Sequence, residues 1–547
     1  MTVTADDKAA APSGTGPAAA RIAGAATLIA LLTVLSRVAG FGRTLVFAKT
    51  VGDGGLSGMY LSVNTIPNII FEIVAGGALA GLVVPLLAGP LAAGDRAQVR
   101  RTVSALLTWA LVALIPLAAL LWLAADPVVT LLQSKASPEL HDAGVSMLRV
   151  FAPQVPLYGI GIVLTGVLHA HRRFAWPVLA PLLSSLTVIG AYLLFAAAAG
   201  TDPAPGSVSG SELAILSVGT TLGVVVLTLC LIIPVGRLGL RLRPVFRVEP
   251  EQRRRMTGLA LAGVATVVAQ QVALLVAIIL AGQVPASSPD TASVVTLYNF
   301  AMTLYLLPWA VLAVPAATAA YPAIATAYAT ADHAALRLTV ARTSRAVLLL
   351  SGLGAAGLAA VAAPAAAFLT EGDGTAELTA AVLAFAPGLL GYGLAALHQR
   401  TLYAMGANRL AALGVSGGWA VTLVSAVVLS GALPDSQRAA ALGAANSIGM
   451  LVMAVLLAVA VRARTGGNAL TGMVRAALAA CAAGMAGAVA GVEAGRAVVS
   501  GTPGIMGLVG QGMLSGGVSL VVFLLVCALL DLPDLRPLLE RVSRRRG

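Results

Sequence analysis

Long apolar runs separated by short polar loops fill the chain from about residue 23 to residue 532. Each run has roughly 20 or more residues, the length that an α-helix needs to cross the hydrocarbon core of a bilayer. The pattern predicts about fourteen membrane-spanning helices in an all-α polytopic membrane protein. Their centres lie near residues 36, 71, 112, 157, 186, 223, 270, 310, 353, 388, 420, 450, 483 and 519.

The loop charges alternate along the chain between a basic side and an acidic side. Arg100 with Arg101 and Arg172 with Arg173 mark the basic side, whereas acids such as Asp53 mark the other. Because basic residues concentrate in cytoplasmic loops, we predict that both termini are cytoplasmic and that the protein lies in a bacterial plasma membrane. The net charge of +12 then reflects membrane topology, and we expect no nucleic-acid partner.

Two halves of the chain resemble each other. The basic stretch 237–256 predicts an amphipathic cytoplasmic connector between two six-helix lobes, residues 23–236 and 257–465. Matching prolines break the second span of each half, Pro67 in the first and Pro308 in the second. Two such halves predict pseudo-symmetric lobes around a central cavity. The other predicted segments are a disordered cytoplasmic tail over residues 1–22, helices 13 and 14 over residues 466–532, and a basic cytoplasmic tail over residues 533–547.

Arg37 and Arg43 lie inside the first apolar run, where a charge costs roughly a few kcal/mol. Such a charge usually faces a water-filled cavity or a partner, and an arginine pair is suited to a phosphate or carboxylate. Gly40 and Gly42 lie between them and allow a bend that would turn both side chains towards one cavity. We predict an anion site; the alternative is that an arginine reaches the membrane surface or pairs with Glu72.

Further polar residues lie within the predicted spans. Glu72 is the one acid deep in a span of the first half, where it balances an arginine or titrates during transport. Arg149 could reach the same cavity or lie near the membrane interface. Gln271, Asn299 and Thr303 are placed to line the second half, although hydrogen bonds between helices explain such residues more often.

The composition excludes several classes of protein. With 59% hydrophobic and 10% charged residues, this is not a soluble domain. The sequence contains no nucleotide-binding loop, metal-ligand cluster or nucleophile motif, and its loops are too short for an ATPase domain. We therefore predict a transporter, not an enzyme, that needs no cofactor or metal and that is driven by the membrane potential or an ion gradient.

Several short motifs follow one another in the order of one known family. They are S-R-V-A-G-F-G-R at residues 36–43, I-P-N at residues 66–68, V-P-L-L-A at residues 84–88, H-R-R-F-A-W-P-V-L-A-P-L-L at residues 171–183 and L-Y-A at residues 402–404. They resemble motifs of the MurJ (MviN) family, the lipid II flippases of the multidrug/oligosaccharidyl-lipid/polysaccharide superfamily. The fourteen-span count agrees with that family.

The resemblance implies an alternating-access cavity that carries the diphosphate-sugar head of lipid II across the membrane while the polyprenyl tail stays in lipid. Arg37 and Arg43 match the family's first-helix arginines, so they would bind the diphosphate, and Asn68 would lie in the same site. Independently of the resemblance, the glycines Gly40 and Gly42 and the matching prolines Pro67 and Pro308 are the hinges that we predict from the residues themselves. The expected partners are a lipid-linked anionic substrate, membrane lipids and cell-wall synthesis proteins.

The chain also departs from the family's pattern. Phe71 and Thr303 stand where the family carries arginines, and the neighbour of Phe71 is the acid Glu72. Two alternatives therefore stay open. One is a paralogue that exports another anionic glycolipid, or a drug antiporter of the same superfamily. The other is a non-transporting membrane scaffold that recruits cell-wall enzymes.

Overall fold

The computed structural model describes residues 17–74, 80–240, 242–246, 267–284, 292–370, 374–498 and 504–543, and these residues form helices and no strand. The helices are α1 Pro17–Thr50, α2 Gly55–Glu72, α3 Ala80–Ala92, α4 Arg96–Leu123, α5 Ala125–Leu132, α6 Pro138–Phe151, α7 Gln154–Ala170, α8 Ala175–Ala199, α9 Gly210–Gly236, α10 Val267–Gly282, α11 Val294–Pro308, α12 Val314–Ala329, α13 His333–Ala360, α14 Ala362–Leu369, α15 Gly374–Phe385, α16 Gly388–Ala404, α17 Asn408–Ala432, α18 Arg438–Thr465, α19 Met473–Val498 and α20 Ile505–Ser543. Short 3₁₀ turns lie at Pro205–Ser207, Asp435–Gln437 and Gly467–Leu470, and a π-helical turn lies at Trp309–Ala313.

The all-α polytopic prediction is confirmed, but the count of fourteen spans is not. Within the described ranges 11 helices are long and apolar enough to cross a membrane, or 12 if the bent pair α15 and α16 forms one span. The predicted spans centred at residues 71 and 270 account for the difference. The span centred at residue 71 falls on α2 and α3, and the span centred at residue 270 falls on the shorter α10. Both spans adjoin residues outside the described ranges.

Two predicted segments, the N-terminal tail and the connector, include residues that the structure describes. The first helix begins at Pro17, so residues 17–22 of the segment predicted as a disordered tail are helical. After α9, residues 242–246 of the predicted connector have no regular secondary structure, and residues 247–256 lie outside the described ranges. The other segment boundaries remain predictions.

The two halves repeat the same local breaks. The fourth span consists of α6 and α7 separated at Ala152 and Pro153, and the tenth consists of α15 and α16 separated at Ala386 and Pro387. A proline cannot donate the backbone hydrogen bond that continues a helix, so each Ala-Pro pair separates two helices. A short helix of 8 residues precedes each broken span, α5 in the first half and α14 in the second.

The third span of each half begins in the same way. Asp95 accepts a hydrogen bond from the Gln98 N–H at 2.9 Å, and Asp332 accepts one from the Ala335 N–H at 2.9 Å. Each aspartate therefore satisfies a backbone donor in the first turn of its helix. Gly94 and Ala331, one residue earlier, both have positive φ angles of 68° and 55°. These matching caps agree with a structural repeat.

The lobes pack against each other at one end. The Ser293 N–H, just before α11, donates to the Asp53 carbonyl at 2.7 Å, and the Ser57 and Thr296 hydroxyls are hydrogen-bonded at 2.9 Å. Nearby, Ser134 hydrogen-bonds to Gln283. These contacts lie on the side that carries the acidic loops, so the space between the lobes is closed on that side.

α19 and α20 pack against each other and against α13, with α20 also contacting α14. Their mutual packing involves small residues, since a Cβ on Gly487 would lie 2.8 Å from the Ser519 carbonyl oxygen. Small residues allow helices in a membrane to approach closely. The last two helices therefore extend the second lobe on its outer side.

Candidate functional site

A polar cavity of about 190 Å³ lies between the two lobes. It brings together four residues that the sequence predicted for the site, one pair from each lobe. Arg43 and Asn68 come from α1 and α2, and Asn299 and Thr303 come from α11. Its other lining residues are Thr44, Phe47, Tyr60, Leu61, Asn64, Thr65, Val188, Tyr192, Thr220 and Phe300. We call this cavity the chamber.

Arg43 is held in the chamber by the residue one helical turn later. Phe47 is 3% exposed, and its ring lies 5.4 Å from that of Tyr60 and 5.3 Å from that of Tyr192. The same ring lies 6.3 Å from that of Phe300 in the other lobe. Residues four apart lie on the same helical face, so anchoring Phe47 directs Arg43 towards the chamber.

The Arg43 guanidinium has no carboxylate partner among the residues that the structure describes. It shares the chamber lining with the hydroxyl-bearing residues Tyr60 and Tyr192. Since no carboxylate in the described ranges pairs with it, the guanidinium is available to an incoming anion. The chamber is therefore electropositive.

Hydrogen bonds among uncharged groups form the wall behind Arg43. The Tyr60 hydroxyl contacts the Tyr192 hydroxyl at 2.9 Å and the Thr220 hydroxyl at 2.8 Å. Tyr60 was not predicted for the site, and neither were Tyr192 and Thr220. No local signal identifies the latter two, since they are distant in the chain and resemble ordinary residues of helix packing.

The asparagines and Thr303 are oriented by their own helices. The Asn68 side chain donates to the Asn64 carbonyl at 2.8 Å and accepts from the Tyr158 hydroxyl at 3.0 Å. In the other lobe, the Thr303 hydroxyl donates to the Asn299 carbonyl at 2.9 Å. Asn64 was missed, although its position four residues before Asn68 places it on the same helical face.

Arg37 and Glu72 are not among the residues that line the chamber. Arg37 is exposed on α1, which runs without a break from Pro17 to Thr50. Glu72 is exposed at the end of α2. The predicted pairing of Arg37 or Arg43 with Glu72 is absent from the described part of the structure.

Gln271 and Arg149 also lie outside the chamber lining. Gln271 is 4% exposed, and its Oε1 atom has no hydrogen-bond partner among the described residues. Its neighbours on α10, Ala269 and Ala273, pack in the core of the second lobe. The Arg149 guanidinium lies 5.1 Å from the centre of the exposed Trp122 ring. These placements favour a role in helix packing for Gln271 and a position near the membrane interface for Arg149.

The predicted hinge residues occupy different local structures. α11 ends at Pro308, and the π-helical turn Trp309–Ala313 follows it. The Trp309 ring stacks on Tyr392 at 4.4 Å, and its indole N–H donates to the Tyr392 carbonyl at 3.3 Å. A π turn inside a helix marks a place where the backbone is irregular, often at functional sites. Hinge motion at Pro308 remains a prediction.

The other hinge candidates lie in regular helix. Pro67 is buried in α2, which continues to Glu72. Gly40 and Gly42 lie in the unbroken α1, and a Cβ at either one would meet nothing within 4 Å. No unwinding occurs at the two glycines, which have space around them, and their role as hinges is also a prediction.

Two lobes of helices on either side of a polar chamber that contains an arginine are typical of multi-pass membrane transporters. Residues 47–501 match the family model described as "Lipid II flippase MurJ". The chain therefore belongs to the MurJ family, as its sequence motifs predicted. Members of this family are transporters and not enzymes.

Among curated relatives, the probable lipid II flippase MurJ of Synechocystis is 30% identical over 236 residues, 42% of this chain and 44% of that protein. The lipid II flippase MurJ of Burkholderia cenocepacia is 27% identical over 169 residues, 30% of this chain and 32% of that protein. The matched segments thus span less than half of the length of each relative.

Solved structures share the fold of this chain. A lipid II flippase MurJ in an inward closed conformation matches with a TM-score of 0.72 at 15% identity, covering 92% of this chain and 98% of the other. An inward-facing MATE-family multidrug resistance transporter of the MOP superfamily matches with a TM-score of 0.62 at 15% identity, covering 80% of this chain and 95% of the other. At this identity the likeness concerns the fold alone.

Proposed function

We propose that this protein is a flippase that moves a polyprenyl-diphosphate-linked peptidoglycan precursor, lipid II, from the cytoplasmic to the outer leaflet by alternating access. The observation that carries the proposal is Arg43, a cation without a carboxylate partner in a polar chamber between two lobes. Placed there, the guanidinium can bind a diphosphate through paired, charge-assisted hydrogen bonds. Asn68, Asn299 and Thr303 supply neutral polar groups around it.

The size of the chamber fits part of such a substrate. Pockets for drug-sized ligands usually measure about 300–1,000 Å³, so the chamber at about 190 Å³ holds a diphosphate but not its sugars. The closure of the acidic side leaves the basic side as the route of entry. We propose that the sugars extend towards the basic side and that the chamber widens when the substrate binds.

Arg37 has a separate role in this proposal. It lies six residues before Arg43 on one continuous helix, a distance of roughly 9 Å along the axis. We propose that Arg37 attracts the anionic head during entry, before Arg43 binds it. Glu72 lies outside the chamber lining, and Gln271 contributes through helix packing.

Export needs no chemical step in the protein. A head group with two negative charges gains roughly 4–5 kcal/mol when it moves outward through 100 mV, at about 2.3 kcal/mol per charge. We propose that both termini are cytoplasmic, in the plasma membrane, because the arginine-rich loops share one side. Cell-wall synthesis proteins are the partners that we propose for those loops.

Complementation of a bacterial strain depleted of its lipid II flippase tests the proposal. We expect rescue by the wild type, loss of rescue with Arg43→Ala, and normal rescue with Arg409→Ala, which removes an exposed arginine in the first turn of α17. Membrane levels of each variant are measured by immunoblot. Rescue by Arg43→Ala at wild-type levels would instead favour the scaffold function.

A further inference from the structure

A second and larger cavity, of about 570 Å³, lies on the outer side of the first lobe. It shares no lining residue with the chamber. α4 forms one wall, and residues 242–246, which follow α9 in the connector, form the other. We call residues 242–246 the strap. The lining residues are Ser104, Leu107, Thr108, Leu111, Val112, Ile115, Pro116, Leu242, Arg243, Pro244 and Phe246.

Two hydrogen bonds fix the strap to α4. The Arg243 N–H donates to the Ser104 hydroxyl at 3.3 Å, and the Val245 N–H donates to the Thr108 hydroxyl at 3.0 Å. Ser104 and Thr108 are one helical turn apart, about 6 Å, which is close to the spacing of alternate N–H groups in an extended chain. The Thr108 hydroxyl donates to the Ser104 carbonyl at 2.7 Å, so its lone pairs remain free for the strap. The groove therefore has two fixed walls.

The floor of the groove is apolar and open to the membrane. Val112 and Ile115 are 45% and 54% exposed, and Phe246 at the end of the strap is 62% exposed. Val112 and Ile115 belong to α4, which is apolar enough to span the bilayer, and Phe246 lies beside this helix. A groove of this kind in the hydrocarbon region suits an acyl chain.

The mouth of the groove is positively charged. Arg243 is exposed, and no carboxylate in the described ranges pairs with it. Arg100 is also exposed and lies four residues before Ser104, on the same face of α4. Guanidinium groups beside the membrane surface attract anionic lipid head groups, and they bind phosphate oxygens in pairs.

We propose that the groove between α4 and the strap binds one anionic phospholipid, with its phosphate at Arg243 and one acyl chain along Leu111 and Ile115. The strap begins the segment that connects the two lobes. A bound lipid would hold that end of the connector against the first lobe. The site would therefore make the movement of the lobes sensitive to the content of anionic lipid.

Native mass spectrometry of the full-length protein tests this site with phosphatidylglycerol and phosphatidylcholine of identical acyl chains. We expect the wild type to retain one phosphatidylglycerol in preference to phosphatidylcholine. Arg243→Gln should reduce that preference by roughly fivefold, since a basic residue near the membrane surface contributes about 1 kcal/mol. Arg409→Gln, the control in the other lobe, should leave it unchanged.

A second variant examines the walls without changing charge. Ser104→Ala combined with Thr108→Val removes the acceptors of the strap, and it should reduce retention of both lipids while the thermal unfolding midpoint stays near that of the wild type. Equal losses with Arg243→Gln and Arg409→Gln would show general attraction to basic loops and overturn the proposal. Failure of the wild type to retain phosphatidylglycerol would also overturn it.

Discussion

Gly58 on α2 and Ser293 before α11 are packed so closely that a methyl group on Gly58 would overlap the Ser293 hydroxyl. The contact lies between the lobes, beside the hydrogen bond of Ser57 to Thr296. Gly282 makes a similar approach to the Leu132 carbonyl of the opposite lobe. Glycine at these two positions lets the lobes meet on the acidic side, so the closed state depends on the absence of a side chain.

Gly58→Ala should therefore shift the lobes towards a state that is open on the acidic side. Overpacking of a close contact costs typically about 1–3 kcal/mol, which changes the population ratio by roughly 5-fold to 150-fold. Double electron–electron resonance between spin labels at Glu139 and Asp435, in a variant without the native cysteines, measures the separation. We expect a longer distance in Gly58→Ala.

Gly190→Ala is the matched control, because a Cβ at Gly190 in α8 would meet nothing within 4 Å. It should give the wild-type distance distribution. Identical distributions for Gly58→Ala and the wild type would mean that the contact does not hold the lobes together.

Phe71→Arg should strengthen the binding of an anionic lipid. Phe71 stands where the resemblance to the family places an arginine, and its ring lies 4.6 Å from Tyr158, which hydrogen-bonds to Asn68 of the chamber. A hydrogen bond to a charged group contributes roughly 1.5–3 kcal/mol, so we expect at least tenfold tighter binding of polyprenyl diphosphate. Titration of the purified protein with that lipid measures the affinity.

The affinity of Phe71→Arg for polyprenyl diphosphate should fall steeply as salt is added, since salt screens charge interactions. Phe71→Leu is the control that removes the aromatic contact without adding charge, and it should not gain affinity. A gain in both variants would point to altered packing at Tyr158 and not to charge.

Arg37→Ala should impair transport less than Arg43→Ala. Both arginines are exposed on α1, but only Arg43 lines the chamber. We expect the apparent affinity to fall in Arg37→Ala with a nearly unchanged maximal rate, because attraction during entry affects binding more than translocation. Flipping of fluorescent lipid II in proteoliposomes measures both quantities. A loss of maximal rate as large as that of Arg43→Ala would place the two arginines in one site.

Four residues of the chamber lining could be predicted from the sequence because polar residues inside apolar runs are costly and therefore conspicuous. Asn299 with Thr303 and Asn64 with Asn68 each lie one helical turn apart, which places each pair on one face. Periodicity thus predicts which residues of one helix share a surface. It does not predict which surface faces the other lobe.

The distinction between Arg37 and Arg43 shows this limit. Both lie in the same apolar run, and only the tertiary packing of Phe47 against Tyr60 and Tyr192 selects Arg43. Thr220 was missed for the same reason, since its role depends on a hydrogen bond to a residue 160 positions away.

Gln271→Leu should separate helix packing from a role in transport. The Gln271 Oε1 atom is buried without a hydrogen-bond partner among the described residues, and such an unsatisfied group costs about 1–3 kcal/mol. Replacement by an apolar side chain of similar size should keep or raise the thermal unfolding midpoint of the purified protein and leave flipping unchanged. Asn299→Leu, which removes a polar group from the chamber lining, should by contrast reduce flipping. A loss of flipping in Gln271→Leu at an unchanged unfolding midpoint would indicate that Gln271 contacts the substrate during transport, because helix packing alone would not explain that loss.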